Sequence, residues 1–126
     1  MAEGTFATAV NCMDGRVQLP VIEYLKKKLG VDYIDMVTEP GPIKFLAENV
    51  DTTIVESIKS RVGISAKKHG SKVVAIVGHD DCAGNPVERS VQVTQIKKSV
   101  ELAKKWGLDV QFLTLFVNKD WEVEEI

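Results

Sequence analysis

Two short stretches of this sequence carry side chains that can do chemistry together. Cys12 follows the apolar run Phe6–Ala7–Thr8–Ala9–Val10, and His79 and Cys82 follow Val73–Val74–Ala75–Ile76–Val77–Gly78. These are both of the chain's cysteines and one of its two histidines. The second run is rich in β-branched residues without polar interruption, the pattern of a strand buried on both faces. Each set of ligand-type side chains therefore stands where a buried strand empties into a loop. Thiolate and imidazole are ligands that zinc favours, and three of them leave one tetrahedral position open. The pattern predicts that the two strand ends meet around one zinc ion, Zn2+, held by Cys12, His79 and Cys82.

The composition supplies the setting for such a site. The chain has 126 residues, and a length in that range suits a single domain, here taken as residues 1–126. Net charge is −2, with 16 basic and 18 acidic residues spread along the sequence. That balance gives neither the basic footprint of a nucleic-acid binder nor a polybasic membrane patch. No apolar run approaches the roughly 18 residues of a membrane span, and the first residues lack the features of a secretory signal. The expectation is a cytoplasmic protein, and in a reducing compartment two cysteines are better read as metal ligands than as a structural disulfide.

The elements that position these residues alternate between strand and helix. Strands are expected over 5–11, 33–37, 72–77 and 110–117, with a short edge strand within 121–126. Between the first two lies a helix from Pro20 to Leu29, with Ile22, Leu25 and Leu29 as its apolar stripe and Gly30 as its stop. Glu39–Pro40–Gly41–Pro42 is the strongest turn signal. A short helix over 43–49 follows, then a longer one capped by Asp51 or Thr52, with Ile54, Ile58 and Val62 on its buried face. Val93, Ile96, Val100 and Ala103 mark the last major helix. The fold class is α/β: a parallel sheet of about four strands, order 2-1-3-4, with helices on both faces. The winding reverses between strands one and three, and ligands bind such sheets outside the carboxyl ends at that reversal. Cys12, His79 and Cys82 fall there.

Cys12–Met13–Asp14–Gly15–Arg16, taken with Gly78–His79–Asp80–Asp81–Cys82–Ala83–Gly84, resembles the β-class carbonic anhydrases. That family carries Cys-x-Asp-x-Arg after its first strand and His-x-x-Cys-(Gly/Ala)-Gly after its third. The resemblance implies zinc ligation by Cys12, His79 and Cys82, and an adjacent catalytic dyad of Asp14 and Arg16. It implies reversible hydration of carbon dioxide to bicarbonate by a zinc-bound hydroxide, and a homodimer or higher homo-oligomer. Two thiolates cancel the formal charge of the zinc, so activity is expected to rise toward mildly alkaline pH. The loop after strand two, typically Arg-Asn-Ala-Gly-Asn in the family, here reads Thr38–Glu39–Pro40–Gly41–Pro42, and the segment after Cys82 is shorter.

Other functions fit the same residues. One is hydrolysis of an isoelectronic substrate, carbonyl sulfide or carbon disulfide. A second is a catalytically weak zinc-binding or regulatory homologue, and a third a redox protein with a Cys12–Cys82 disulfide. Asp80 and Asp81 read as solvated loop residues, His69 as part of a helix C-terminus, and Trp106 and Trp121 as packing.

Overall fold

The computed structural model describes residues 3–126. Five strands form one sheet in the order β2-β1-β3-β4-β5: β1 (Phe6–Cys12), β2 (Tyr33–Glu39), β3 (Val73–His79), β4 (Gln111–Val117) and β5 (Val123–Glu125). The first four are parallel, and β5 pairs antiparallel with β4 through Val117 and Val123. The expected order 2-1-3-4 is found, and the extra edge strand completes a mixed sheet. The order reverses between β1 and β3, whose register aligns Ala9 with Ala75.

Strand alternation sends successive side chains to opposite faces. Ala9, Ala75, Val77, Leu115 and Val117 face helix α1 (Gln18–Leu29), which answers with Val21 and Leu25. Val10, Val37, Val74 and Ile76 face the other side. There they meet α2 (Pro42–Glu48), α3 (Thr52–Lys68) and α4 (Arg89–Ala103) through Ile43, Leu46, Ile58, Val62 and Ile96. Asp51 caps α3, its Oδ1 accepting from the Ile54 N–H at 3.2 Å. Gly30 closes α1 in the left-handed conformation. Among the described residues, no helix is long and apolar enough to cross a membrane.

The helix stripes differ from expectation in detail. In α1 the buried residues are Val21 and Leu25, following Val17 at four-residue spacing, while Ile22 and Leu29 are half-buried. The helix starts two residues before Pro20, after a 3-10 turn at Gly15–Val17, and this sets its roll against the sheet. In α3, Val55 is buried in place of Ile54. In α4 the buried face is Gln92, Ile96, Ser99 and Ala103, and Val93 and Val100 sit at its margins. Two polar residues lie inside because β3 and α2 offer them partners. Ser99 donates to the Ile43 carbonyl at 3.2 Å, and Gln92 bonds to the backbone of His79.

Candidate metal centre at the sheet's switch point

The strands run further than the sequence suggests, and the difference matters for the site. β1 ends on Cys12 and β3 ends on His79, so both side chains spring from ladder-bonded backbone rather than loops. Cys12 is registered against Glu39, and His79 against Val117. Both lie at the carboxyl ends of the two strands that flank the topological reversal, where open α/β sheets place ligands.

Cys82 reaches the same point on a short loop. The Asp80 N–H donates to the Val117 carbonyl at 2.9 Å, and Asp81 turns the chain in a left-handed conformation, φ 56°. Beyond Cys82, the Asn85 N–H returns to the Cys82 carbonyl at 3.2 Å. Asn85 also donates from Nδ2 to Gln95 on α4 at 2.7 Å. Pro40 and Gly41 pack directly against Gly84 and Asn85, so the loop after β2 clamps the loop that carries Cys82.

The ligand-type atoms of Cys12, His79 and Cys82 all lie within 4.8 Å of one another. The two sulfurs are 3.8 Å apart and unbonded. Disulfide sulfurs stand ~2.05 Å apart, whereas two sulfurs each ~2.3 Å from one tetrahedral metal stand ~3.8 Å apart. His79 Nδ1 lies 2.7 Å from the Asp80 carbonyl oxygen, which makes Nδ1 the protonated nitrogen. In the neutral ring Nε2 is then a free lone pair, and the atom is buried without any hydrogen-bond partner. Buried polar atoms are rarely left so. An orphaned imidazole nitrogen facing two free sulfurs fits a divalent cation among the three.

The electrostatics agree. The Cys82 thiol hydrogen-bonds to the Cys12 sulfur and pulls the Cys12 pKa well below the ordinary thiol range, overriding burial, with help from His79 and the backbone at Asp14 and Gly41. The same contact, with burial, pushes Cys82 up. One proton thus serves two sulfurs, and a cation between them would replace it. Burial alone would lower the His79 pKa, but the Cys12 sulfur and the Asp80 carbonyl more than offset it and hold it up.

Asp14 and Arg16 stand beside this cluster. Arg16 grips the Asp14 carboxylate bidentately, from Nε to Oδ1 at 3.1 Å and from Nη2 to Oδ2 at 2.7 Å. Its backbone N–H also donates to Asp14 Oδ1 at 2.9 Å. These hydrogen bonds hold the Asp14 pKa down to about 2. The loop between them is pinned from both ends. Gln18 donates to the carbonyls of Cys12 and Asp14, each at 2.7 Å, and Asn11 Nδ2 donates to the Val17 carbonyl at 3.1 Å.

Three residues around the site were not marked by their sequence context. Gln92 accepts from the His79 N–H at 3.0 Å and donates to the His79 carbonyl at 2.7 Å, a reciprocal pair that fixes the end of β3. Asp81 accepts from Arg16 Nη1 at 3.3 Å, and the Trp121 ring lies 4.5 Å from the Arg16 guanidinium carbon. Asp81 is solvated, its side chain 77% exposed, and Trp121 packs at the edge of the core, both as expected; each also touches Arg16. Their partner lies 65 residues from Asp81, and no local pattern announces it. His69 ends α3 as expected and adds a bond from Nδ1 to Asp35 at 2.6 Å, at the opposite end of the sheet.

Comparison with known proteins points one way. The chain is similar to the crystal structure of β-carbonic anhydrase isoform I from the protozoan Trichomonas vaginalis, at 16% identity and a TM-score of 0.61, over 94% of this chain and 81% of that one. At that identity the likeness concerns the fold. It is also similar to a β-carbonic anhydrase of the fungus Aspergillus fumigatus, at 13% identity and a TM-score of 0.47, over 95% and 74% of the two chains. Among curated proteins none matches. A family model described as "Putative carbonic anhydrase" matches residues 2–126, and to that family the chain belongs.

Proposed function

We propose that the protein holds one zinc ion through Cys12, His79 and Cys82 and interconverts carbon dioxide and bicarbonate. The observation that carries this reading is the buried, unpartnered His79 Nε2 beside two free sulfurs 3.8 Å apart. One imidazole and two thiolates form a zinc set, and three protein ligands are the count of a catalytic rather than a structural site. When bound, zinc supplies the Lewis acidity that makes water a nucleophile toward the carbon of carbon dioxide near neutral pH.

The chain's own groups do the rest. The Asp80 carbonyl holds the imidazole by Nδ1 and leaves Nε2 as the atom that would hold zinc with the two sulfurs, a common arrangement around metal-bound histidines. The Asp14 carboxylate, kept ionised by Arg16, accepts a hydrogen bond from the attacking water and aims its oxygen lone pair at the substrate. Arg16 fixes the carboxylate plane through its paired hydrogen bonds, so no reorganisation is needed as the C–O bond forms. The balance is water plus carbon dioxide giving bicarbonate and one proton, which leaves to solvent.

Stopped-flow carbon dioxide hydration by the zinc-loaded protein tests the proposal. Asp14→Ala is expected to abolish turnover with zinc retained, and Cys82→Ser to abolish both. A protein carrying one zinc per chain that hydrates carbon dioxide no faster than buffer would instead be a zinc-binding homologue without this activity.

A further inference from the structure

Among the described residues, three other than glycine have positive φ: Asn49, Asp81 and Trp121. Asparagine and aspartate tolerate the left-handed region, but a bulky aromatic there is an outlier that persists only when its surroundings enforce it. Trp121 has φ 60°. Its turn is locked around Asn118, whose Oδ1 accepts from the Asp120 N–H at 2.9 Å and the Glu122 N–H at 3.0 Å. The Trp121 N–H donates to the Asn118 carbonyl at 2.9 Å, and the Asn118 N–H to the Glu122 carbonyl at 2.9 Å. Asn118 Nδ2 reaches Glu124 at 2.9 Å, and Glu124 pairs with Arg89 at the start of α4.

This closed turn delivers the indole face to the guanidinium of Arg16, 4.5 Å from ring centroid to Cζ. Asp81, also left-handed, meets the same guanidinium with its carboxylate at 3.3 Å and its carbonyl at 3.1 Å. Two of the three unusual backbone positions thus converge on one side chain, from loops after β3 and β4. Arg16 needs such support, because its side chain is 46% exposed and would otherwise sample many rotamers.

We propose that Trp121 is a positioning residue for the Arg16–Asp14 pair: its ring, with Asp81, keeps the guanidinium in the one orientation that presents both Asp14 oxygens. The catalytic meaning of this clamp rests on the function proposed above, but the clamp itself is measurable without turnover. Trp is the aromatic side chain that holds a cation best, Phe is weaker, and an aliphatic residue gives no such attraction.

The zinc-loaded protein has three arginines, so their Nε–H signals are separable by NMR, with Arg16→Lys assigning the Arg16 peak. In Trp121→Leu, exchange of the Arg16 Nε–H with water is expected to rise about two- to fivefold, the loss expected for an exposed cation–π contact. Trp121→Phe should recover part of it, with the Arg61 and Arg89 signals unmoved. An Arg16 signal equally protected in Trp121→Leu, or lost as fully in Trp121→Phe, overturns the proposal. Should Trp121→Leu fail to fold, mono- and difluorotryptophan incorporation decides. Fluorine weakens the negative ring face with little change in shape, so stepwise faster exchange supports the clamp and unchanged exchange overturns it. A wild-type protein with a protected Arg16 signal but no carbon dioxide hydration would sink the proposed function and leave this inference standing.

Discussion

Gly84 lies so close to Pro40 that a Cβ on Gly84 would come within 2.7 Å of the Pro40 carbonyl carbon and oxygen. Gly41 makes the reciprocal approach, where a Cβ would sit 2.8 Å from that of Asn85. The loop after β2 and the loop bearing Cys82 therefore interlock through backbone, with no side chain able to yield. Gly84→Ala is expected to destabilise the protein by about 1–3 kcal/mol, the range for overpacking a filled site. It should also weaken zinc binding, because the Cys82 sulfur shifts with its loop. Denaturant titration and zinc competition against a chelator check both. A variant with unchanged zinc affinity would show that the clamp does not set the position of Cys82.

Gln92 ties the backbone of His79 to α4, and Gly78 makes room for it, since a Cβ on Gly78 would lie 2.7 Å from Gln92 Oε1. Gln92→Leu leaves a buried N–H and a buried carbonyl unpaired at the residue that carries the imidazole. A stability loss of about 2 kcal/mol or more is expected, given ~1–3 kcal/mol for each orphaned group. The end of β3 should also loosen, seen as faster amide exchange at His79 relative to Ala75.

Much of this arrangement could be read from the residues alone, and the boundary is physical. Val73–Val77 and Phe6–Val10 are apolar runs whose burial follows from composition, so the two strand ends and their ligands were legible. Glu39–Pro40–Gly41–Pro42 marked its turn for the same local reason. Gln92 and Ser99 were not legible, because a polar residue in a helix is ordinarily solvated, and only the neighbouring backbone explains their burial. The ends of β1 and β3 fell two residues or fewer beyond the expected limits, since ladder pairing with Glu39 and Val117 extends them. Trp121 and Asp81 meet Arg16 through long-range packing, which no local spacing encodes.

Metal removal should expose how much of the stability the centre carries. On the function proposed above, zinc would bind the folded arrangement of Cys12, His79 and Cys82 far better than the unfolded chain. Above the dissociation constant, each tenfold rise in free zinc is then expected to add about 1.4 kcal/mol to unfolding. Thermal scans in zinc buffers should show a midpoint climbing with free zinc in the wild type and flat in Cys82→Ser. Equal slopes for the two proteins would place the metal elsewhere.

Acid titration of the metal-free protein isolates the Asp14–Arg16 pair. Hydrogen bonds from Arg16 lower the Asp14 pKa in the folded state to about 2 from an ordinary value of 3.8. A group whose folded pKa lies below its unfolded value stabilises the fold fully above the unfolded value, and loses that contribution as pH falls through the folded one. Asp14→Asn keeps an oxygen for the Arg16 N–H and removes the charge. Wild type is therefore expected to exceed Asp14→Asn in stability by a constant margin above about pH 4, narrowing toward pH 2. Denaturant midpoints of both proteins at pH 6 and pH 2.5 check it, and a margin that widens on acidification would mean that Asp14 is not held by Arg16. The same pKa keeps Asp14 ionised throughout the neutral range. Any change in carbon dioxide hydration between pH 6 and 9 is then expected to come from a group other than Asp14. Asp14→Asn should lower the rate across that window, and loss of the neighbouring negative charge should move the midpoint toward lower pH.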